Sequence, residues 1–415
     1  MKIAIVGSGI AGLTCAYLLN RQHDIQVFEA SDWIGGHTHT VDVQVDGRSY
    51  AIDTGFIVFN DWTYPNFIRL LEQIGVGFKP TEMSFSVSDP ATGVEYNGHD
   101  LNTLFAQRSN LLSPAFWGML RDILRFNRQS LDDLANNRIS ADTTLGQYLD
   151  NNGYGRRFIE HYIVPMGSAI WSMSLADMLG FPLQFFVRFC KNHGLLSVSD
   201  RPTWQVIEGG SRSYVAPLTE SFAERIRLNC PVSRVVRDQD GVTLHSAAGA
   251  ERFDKVIFAC HSDRALALLD QASEKESEIL GALPYANNDV VLHTDTRLLP
   301  KRKLAWASWN YRLGGPREQM AAVTYNMNIL QGIDSATTFC VSLNQTAAID
   351  PSKILARFQY AHPQYSLAGT AAQARWEELL GDQHTYYCGA YWANGFHEDG
   401  VVSALRVARA FGETL

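Results

Sequence analysis

The chain has 415 residues, 46% of them apolar, and a formal net charge of −8. That length predicts about two domains with sizeable cores, and an acidic balance without any basic run excludes nucleic acid as a partner. Six cysteines (Cys15, Cys190, Cys230, Cys260, Cys340, Cys388) are scattered without a C-x-x-C pair, the usage of a reducing compartment.

The first residues run straight into an apolar strand, so no secretory leader is expected. The most apolar region, Ile159 to Phe189, is broken by Pro165, Gly167, Asp177, Gly180 and Pro182 and cannot be one membrane-spanning helix. A soluble, cytoplasmic protein is expected. The opening itself is a strand, Lys2 to Val6, then Gly7-Ser-Gly9-Ile-Ala-Gly12, a helix from Ile10 to Asn20, and a second strand from Ile25 to Glu29. The spacing has mechanical reasons: Gly7 makes the tight turn, Gly9 lets a pyrophosphate approach the backbone, and Gly12 lets helix and strand pack closely. The free N–H groups of the helix start, at Ile10 and Ala11, then face the phosphates. Glu29, next to Ala30, lies 20 residues beyond Gly9, where a carboxylate accepts ribose hydroxyls.

A second Gly-rich loop follows, Gly35-Gly36-His37-Thr38-His39. His37 and His39 could form half of a metal site, but no third ligand is near in sequence, and a loop lying along a bound dinucleotide is the preferred reading. No metal is expected. Strands Val41 to Val45 and Ser49 to Ile52 flank the turn Asp46-Gly47 and end at Asp53-Thr54-Gly55.

Residues 61–200 turn helical and rich in aromatics and methionine. A short helix is predicted over Phe67 to Ile74. A longer one starts at Ser113-Pro114, with Phe116, Trp117, Leu120, Ile123 and Leu124 on one face and Arg121, Arg125 and Arg128 on another. Such a basic amphipathic helix either rests on a membrane surface or packs on its own domain, and packing is preferred. The run Ile163 to Ser174 is apolar and charge-poor, either a ligand-pocket lining or plain core. From Trp204 the α/β texture returns. Gly209-Gly210 precedes a predicted helix from Tyr214 to Ile226. Strands follow at Arg227 to Asn229, Pro231 to Arg237, Val242 to His245 and Lys255 to Cys260. The chain closes on Gly389, Gly395-Phe396-His397-Glu398-Asp399-Gly400 and a helix predicted from Val401 to Phe411.

Taken together these stations resemble the FAD-binding amine oxidase and phytoene desaturase-like flavoproteins, over nearly the whole chain. The resemblance implies an α/β, Rossmann-like FAD-binding domain of the glutathione-reductase-like, amine-oxidase type, with an inserted α+β substrate domain. The FAD domain would comprise residues 1–60, 201–264 and 380–415, and the substrate domain 61–200 and 265–379. The first loop with Glu29 would hold the pyrophosphate and ribose of FAD, and Val232 would back the adenine. Gly35, Gly36, His37 and Thr38 would pass the ribityl chain, with Thr54, Gly55, Ala259 and Cys260 lining the same cofactor. Gly389, Ala390 and the amides of Gly400, Val401 and Val402 would approach the pyrophosphate and the flavin O2.

The wording Ala169-Ile-Trp-Ser172, His193-Gly-Leu-Leu196 and Phe396-His-Glu-Asp-Gly400 resembles a narrower group. These are predicted NAD/FAD-binding oxidoreductases related to the N-terminal region of plant cyclopropane-fatty-acid synthase-like proteins. That likeness implies an unsaturated or methylated fatty-acyl substrate and a lipid methyltransferase as functional partner. Two departures stand out. His37 replaces the Arg or Lys of many members, so its support of the cofactor would depend on pH. Amine oxidases carry a lysine-held water near flavin N5, yet the candidate strand from Asn287 to Thr294 has no lysine. The residue before the last helix, where amine-oxidising relatives place an aromatic, is taken as His397. His397 and Glu398 are the catalytic candidates, Asp399 a helix-end stabiliser. The leading expectation is an FAD-dependent oxidoreductase or desaturase of apolar acyl chains. The alternatives are an amine oxidase, a redox-neutral double-bond isomerase, and an FAD-binding subunit that delivers lipid to a methyltransferase.

Overall fold

The computed structural model describes residues 1–314 and 320–415. The opening apolar run forms the strand Lys2–Val6, which sits at the centre of a five-stranded parallel sheet. Asp24–Phe28 pairs on one side with Ile226–Arg227 beyond it, and Lys255–Phe258 on the other with Thr385–Tyr387 beyond it. Alternate residues of the central strand enter different cores, as a parallel sheet covered on both faces requires. Ile3 and Ile5 pack under the helices Ile10–Leu19 and His397–Ala410, beside Leu13, Val401 and Leu405. Ala4 and Val6 face Val235, Leu244 and Ile279, on an antiparallel three-stranded sheet and the helix Glu274–Gly281.

The second body is a seven-stranded sheet with helices against it. In spatial order its strands are Ile354–Pro363, Tyr285–His293, Cys340–Leu343, Val323–Asn326, Trp309–Arg312, Phe85–Asp89 and Val94–Asn97. All its pairs are antiparallel except Trp309–Arg312 with Phe85–Asp89. The long helix Pro114–Ala135 begins where expected, capped by the Ser113 hydroxyl, which accepts the Phe116 N–H, with Pro114 in the first turn.

Two expectations are corrected. The helix predicted from Tyr214 to Ile226 is only Val215–Thr219, then a short turn and the strand Ile226–Arg227. The helix ends early because Phe222 leaves helical geometry (φ −146°, ψ 20°), its N–H closing a tight turn onto the Thr219 carbonyl. The last helix starts at His397 instead of Val401, because the Asp399 carboxylate accepts the Phe396 N–H and captures an extra turn. Two cores run across residues 60/61 and 264/265. Tyr64, Phe67 and Leu71, from the helix Pro65–Gln73, lie in the core of the parallel sheet, as do Ile279 and Leu283 on its other face.

The glycine of the first helix is dictated by backbone. A Cβ on Gly12 would stand 2.0 Å from the Gly7 carbonyl oxygen, which no rotamer can relieve. Gly12→Ala should therefore destabilise the fold by about 3 kcal/mol or more, read as the loss in urea unfolding free energy; an unchanged midpoint would contradict this packing.

Candidate active site

Two helix N-termini meet at the head of the parallel sheet. A Cβ on Gly400 would lie 2.7 Å from the Ile10 side chain and 3.8 Å from the Ala11 amide nitrogen, so the two helix starts are nearly in contact. They differ in charge. His397–Ala410 carries Glu398 and Asp399 in its first turn, whereas Ile10–Leu19 has neither an acid there nor a side-chain cap. The positive end of the first helix is thus left open to an external anion.

The space in front of it is also open. Gly7 (φ +108°) is needed because a Cβ would come within 2.9 Å of the Ala259 carbonyl, but a Cβ on Gly9 would meet nothing within 4 Å. Gly9 has an ordinary extended backbone, φ −68° and ψ 176°. The fold therefore does not require glycine at residue 9; a group lying against that backbone would. Gly36 closes the far side, its own Cβ position 3.2 Å from the Gly9 Cα, and Gly9 and Gly35 form an isolated β-bridge. Glu29 is buried at the second strand's end, accepting the Ser8 N–H (2.9 Å), the Ser8 hydroxyl (2.6 Å) and the Ser31 N–H (2.8 Å). Oε2 takes both Ser8 donors, and Oε1, with one donor, has further acceptor capacity, so this geometry fits a ribose hydroxyl. Ala30 is exposed beside it, and Val232 is half-buried across the sheet edge from Cys230, whose N–H bonds the Glu29 carbonyl.

Further along, His37 is corrected from a pH-dependent charge to a neutral group. Burial lowers its pKa, and its Nε2 is a buried atom with no partner in the protein. Its ring sits 6.0 Å from His261 and 5.5 Å from His362, both pushed down to about 3 by burial first and by His37 second. His39 turns elsewhere, bonding the Tyr360 hydroxyl at 2.7 Å and stacking on Trp33. The Thr54 hydroxyl reaches the same Tyr360 hydroxyl at 2.8 Å, and a Cβ on Gly55 would strike the His37 carbonyl at 2.2 Å. Ala259 and Cys260 follow the strand that supports Gly7, and the Gly389 N–H donates to the Ser403 hydroxyl, with Ala390 starting the next turn. The Cys388 thiol faces Cys15 inside the core, 3.7 Å away.

The closing helix brings three corrections. Because it starts at His397, the Gly400 N–H donates to the Phe396 carbonyl, and Val401 and Val402 lie inside the helix, so these amides are not the free ones. His397 is 8% exposed, stacks on Phe56, and places Nε2 3.0 Å from the Thr38 hydroxyl and 3.2 Å from the Tyr214 hydroxyl. Burial, then the nearby His37, holds its pKa well below the usual value, so at neutral pH it positions Thr38 and Tyr214 as an uncharged ring. Glu398 points back to the helix Pro65–Gln73, accepting the N–H groups of Asn66 (3.1 Å) and Phe67 (2.8 Å); it caps a helix and does not tune His397.

The residue immediately before the helix is Phe396. Its ring stacks on Phe189 at 5.2 Å and continues an aromatic wall through Trp171, Phe181, Phe185 and Tyr365, neighbouring centroids 4.5 to 5.7 Å apart. The Trp171 indole N–H reaches the Asn394 carbonyl, and Gly395 (φ +94°) is forced because a Cβ would lie 2.6 Å from the Tyr365 hydroxyl. Phe396 also lines a cavity of about 390 Å³, bordered by Trp62, Tyr64, His193, Asn394, Glu398 and Asp399.

Two further residues escaped the sequence reading as site residues. Tyr214 was visible only as a helix start. Asp53, fully buried, accepts the Thr40 hydroxyl (2.6 Å), the Ser211 hydroxyl and N–H (2.9 Å each) and the Gln331 amide (3.0 Å). It ties the hairpin and the Gly209-Gly210 loop to the second body.

The family described as flavin containing amine oxidoreductase matches residues 10–330. The chain belongs to that family. It has a Rossmann-like FAD-binding fold with an inserted α+β substrate domain. Zeta-carotene desaturase of Solanum lycopersicum is 37% identical over 76 residues, 18% of this chain and 12% of that protein. The match thus spans only a small part of the curated relative. A redesigned putrescine oxidase superposes with a TM-score of 0.71 at 14% identity, covering 99% of this chain and 98% of the other. A CLA-producing fatty acid isomerase from P. acnes gives 0.70 at 15%, with the same coverages. At such identities the likeness establishes the fold alone.

Burial pushes the Asp53 carboxyl up to about 6 from 3.8, against the pull of its hydrogen bonds from Thr40 and Ser211. A carboxyl whose native pKa is raised holds its proton more tightly folded than unfolded. Its contribution to stability is full below pH 4 and lost as pH rises through 6. Asp53→Asn should remove that slope, on the order of 3 kcal/mol between pH 4 and 7. Urea midpoints across that range test it; an unaltered slope would contradict the assignment.

Proposed function

We propose that the chain binds FAD and uses it to oxidise an apolar, unsaturated or methylated fatty-acyl substrate. The observation that carries the substrate class is the aromatic wall from Trp171 to Phe396, an uncharged cluster of mostly buried rings that ends at the start of the closing helix. The open space at Gly9, the uncapped first helix and the unpartnered His37 Nε2 fit the cofactor. When bound, FAD supplies a two-electron acceptor for a hydride equivalent from the substrate.

The protein's own part is positioning. The amides after Gly9 bind the pyrophosphate and Glu29 accepts ribose hydroxyls. Thr38 and Tyr214, held by neutral His397, present hydroxyls at a fixed place, and the wall excludes water from an acyl chain packed against it. The strand Tyr285–His293 carries no lysine, which speaks against the amine-oxidase mechanism of relatives that hold a water there. The sequence likeness to oxidoreductases related to plant cyclopropane-fatty-acid synthase-like proteins supports an acyl substrate further.

A second reading, an amine oxidase, draws on one feature: Phe396 is an aromatic directly before the closing helix, and the carboxyl groups of Glu398 and Asp399 border the cavity beside it. Following flavin absorbance anaerobically while adding unsaturated or methylated acyl lipids, then a panel of amines, separates the two. Bleaching by lipids alone is expected. Bleaching by amines alone would overturn the acyl reading, and shifted double bonds without bleaching would replace it with an isomerase. A purified protein unable to take up flavin would overturn both.

A further inference from the structure

Eleven large apolar side chains are exposed among the described residues, and five of them fall between residues 101 and 124: Leu101, Leu111, Leu112, Trp117 and Leu124. Leu112 is 88% exposed and Leu101 77%, far more than a side chain at the margin of a core. They belong to one face. The Trp117 indole N–H donates to the Leu111 carbonyl at 2.9 Å, and its ring lies 5.4 Å from Phe105. The Arg108 guanidinium holds the carbonyls of Phe105 and Asn102, fastening the turn Arg108–Leu112 to the short helix Leu101–Leu104. Along the helix Pro114–Ala135, Trp117, Arg121, Leu124 and Arg128 follow at spacings of four, three and four, and all four point outward.

The charge around this face opposes that of the molecule. The turn Lys303–Ala305 packs against the short helix and adds the basic run Lys301-Arg302-Lys303. Residues 99–128 and 301–303 together hold seven Lys or Arg and two acids, in a chain of net charge −8. Of the two acids, Asp100 caps the short helix, and Asp122 is buried, bound to the Gly155 N–H and paired at 3.3 Å with Arg125, which removes that one cation from the face. Arg302 is partly spent on Glu95, but Arg121 and Arg128 stand free to face outward beside Trp117 and Leu124. No helix among the described residues is long and apolar enough to cross a membrane.

We propose that this face docks the protein peripherally on an anionic lipid surface, Leu112, Trp117 and Leu124 entering the headgroup boundary and Arg121 and Arg128 meeting lipid phosphates. An indole beside leucines with flanking guanidinium groups matches the layered polarity of a bilayer interface. A protein partner would equally accept the leucines. The local excess of cations on an acidic chain selects a negatively charged surface, and so disfavours a second copy of this chain.

The test is co-sedimentation of the full-length protein with vesicles of equal parts phosphatidylcholine and phosphatidylglycerol, against phosphatidylcholine alone. Binding to the mixed vesicles is expected, roughly tenfold weaker without the anionic lipid and lowered by salt. The double variants Leu112→Ser with Trp117→Ser, and Arg121→Glu with Arg128→Glu, should each bind roughly tenfold more weakly. Arg121 and Arg128 are exposed, so the thermal midpoint of that variant should match the parent, whereas Trp117→Ser also gives up the bond to Leu111. No binding by the parent protein, or equal binding by both variants, would overturn the proposal. So would a dimer in sedimentation velocity that Leu112→Ser with Trp117→Ser breaks while vesicles stay unbound.

Discussion

Everything at the site depends on the near-contact of two helix starts, with Gly400 against Ile10. Both helices aim their positive ends at one place above the parallel sheet, and only one is compensated from within. Asp399 and Glu398 occupy the first turn of the closing helix, while the first helix is bare. Burial raises the Asp399 carboxyl to about 6 even at a helix N-terminus, so desolvation outweighs the dipole there. The free positive end belongs to the first helix, and it opens onto the gap at Gly9.

A second constraint holds the two bodies in register. Asp53 gathers donors from the hairpin, from the Gly209-Gly210 loop and, through Gln331, from the sheet domain. Gln331 answers by accepting the Asp53 N–H. A buried carboxyl satisfied on all sides is costly to desolvate, but removing any one partner costs more. Such a group fixes geometry between segments far apart in sequence. The loops that face the cofactor space hang from it: Thr54 and Gly55 directly, and Thr38 through Tyr214, three residues after Ser211.

The opening strand, glycine loop and helix were legible because local rules dictate them, and the strand Lys255–Phe258 followed from its apolar run. The site was legible only where one segment carries it. Glu29 was found because its distance from Gly9 is fixed by a single βαβ unit. His261, His362 and Tyr214 meet His37 and His397 through tertiary packing, which no spacing records. The closing helix was misjudged by one turn, since Gly400 reads as a helix breaker while Asp399 caps the chain four residues earlier. That shift moved Phe396 to the position before the helix, turned Glu398 into a cap for a neighbouring helix and buried His397. Trp117 and Leu124 were placed on a packing face, but helix rotation puts Phe116 inside and leaves them in solvent.

The central claim is that the protein needs glycine at residue 9 for its ligand and not for its fold. Gly9→Ala tests it directly, because the backbone there is ordinary and its Cβ site is empty. Titrating FAD into flavin-free wild type and variant, alongside thermal unfolding without flavin, should give equal midpoints and saturable binding by the wild type only. A variant that binds FAD as the wild type does, or that fails to fold without it while the wild type folds, would contradict the account.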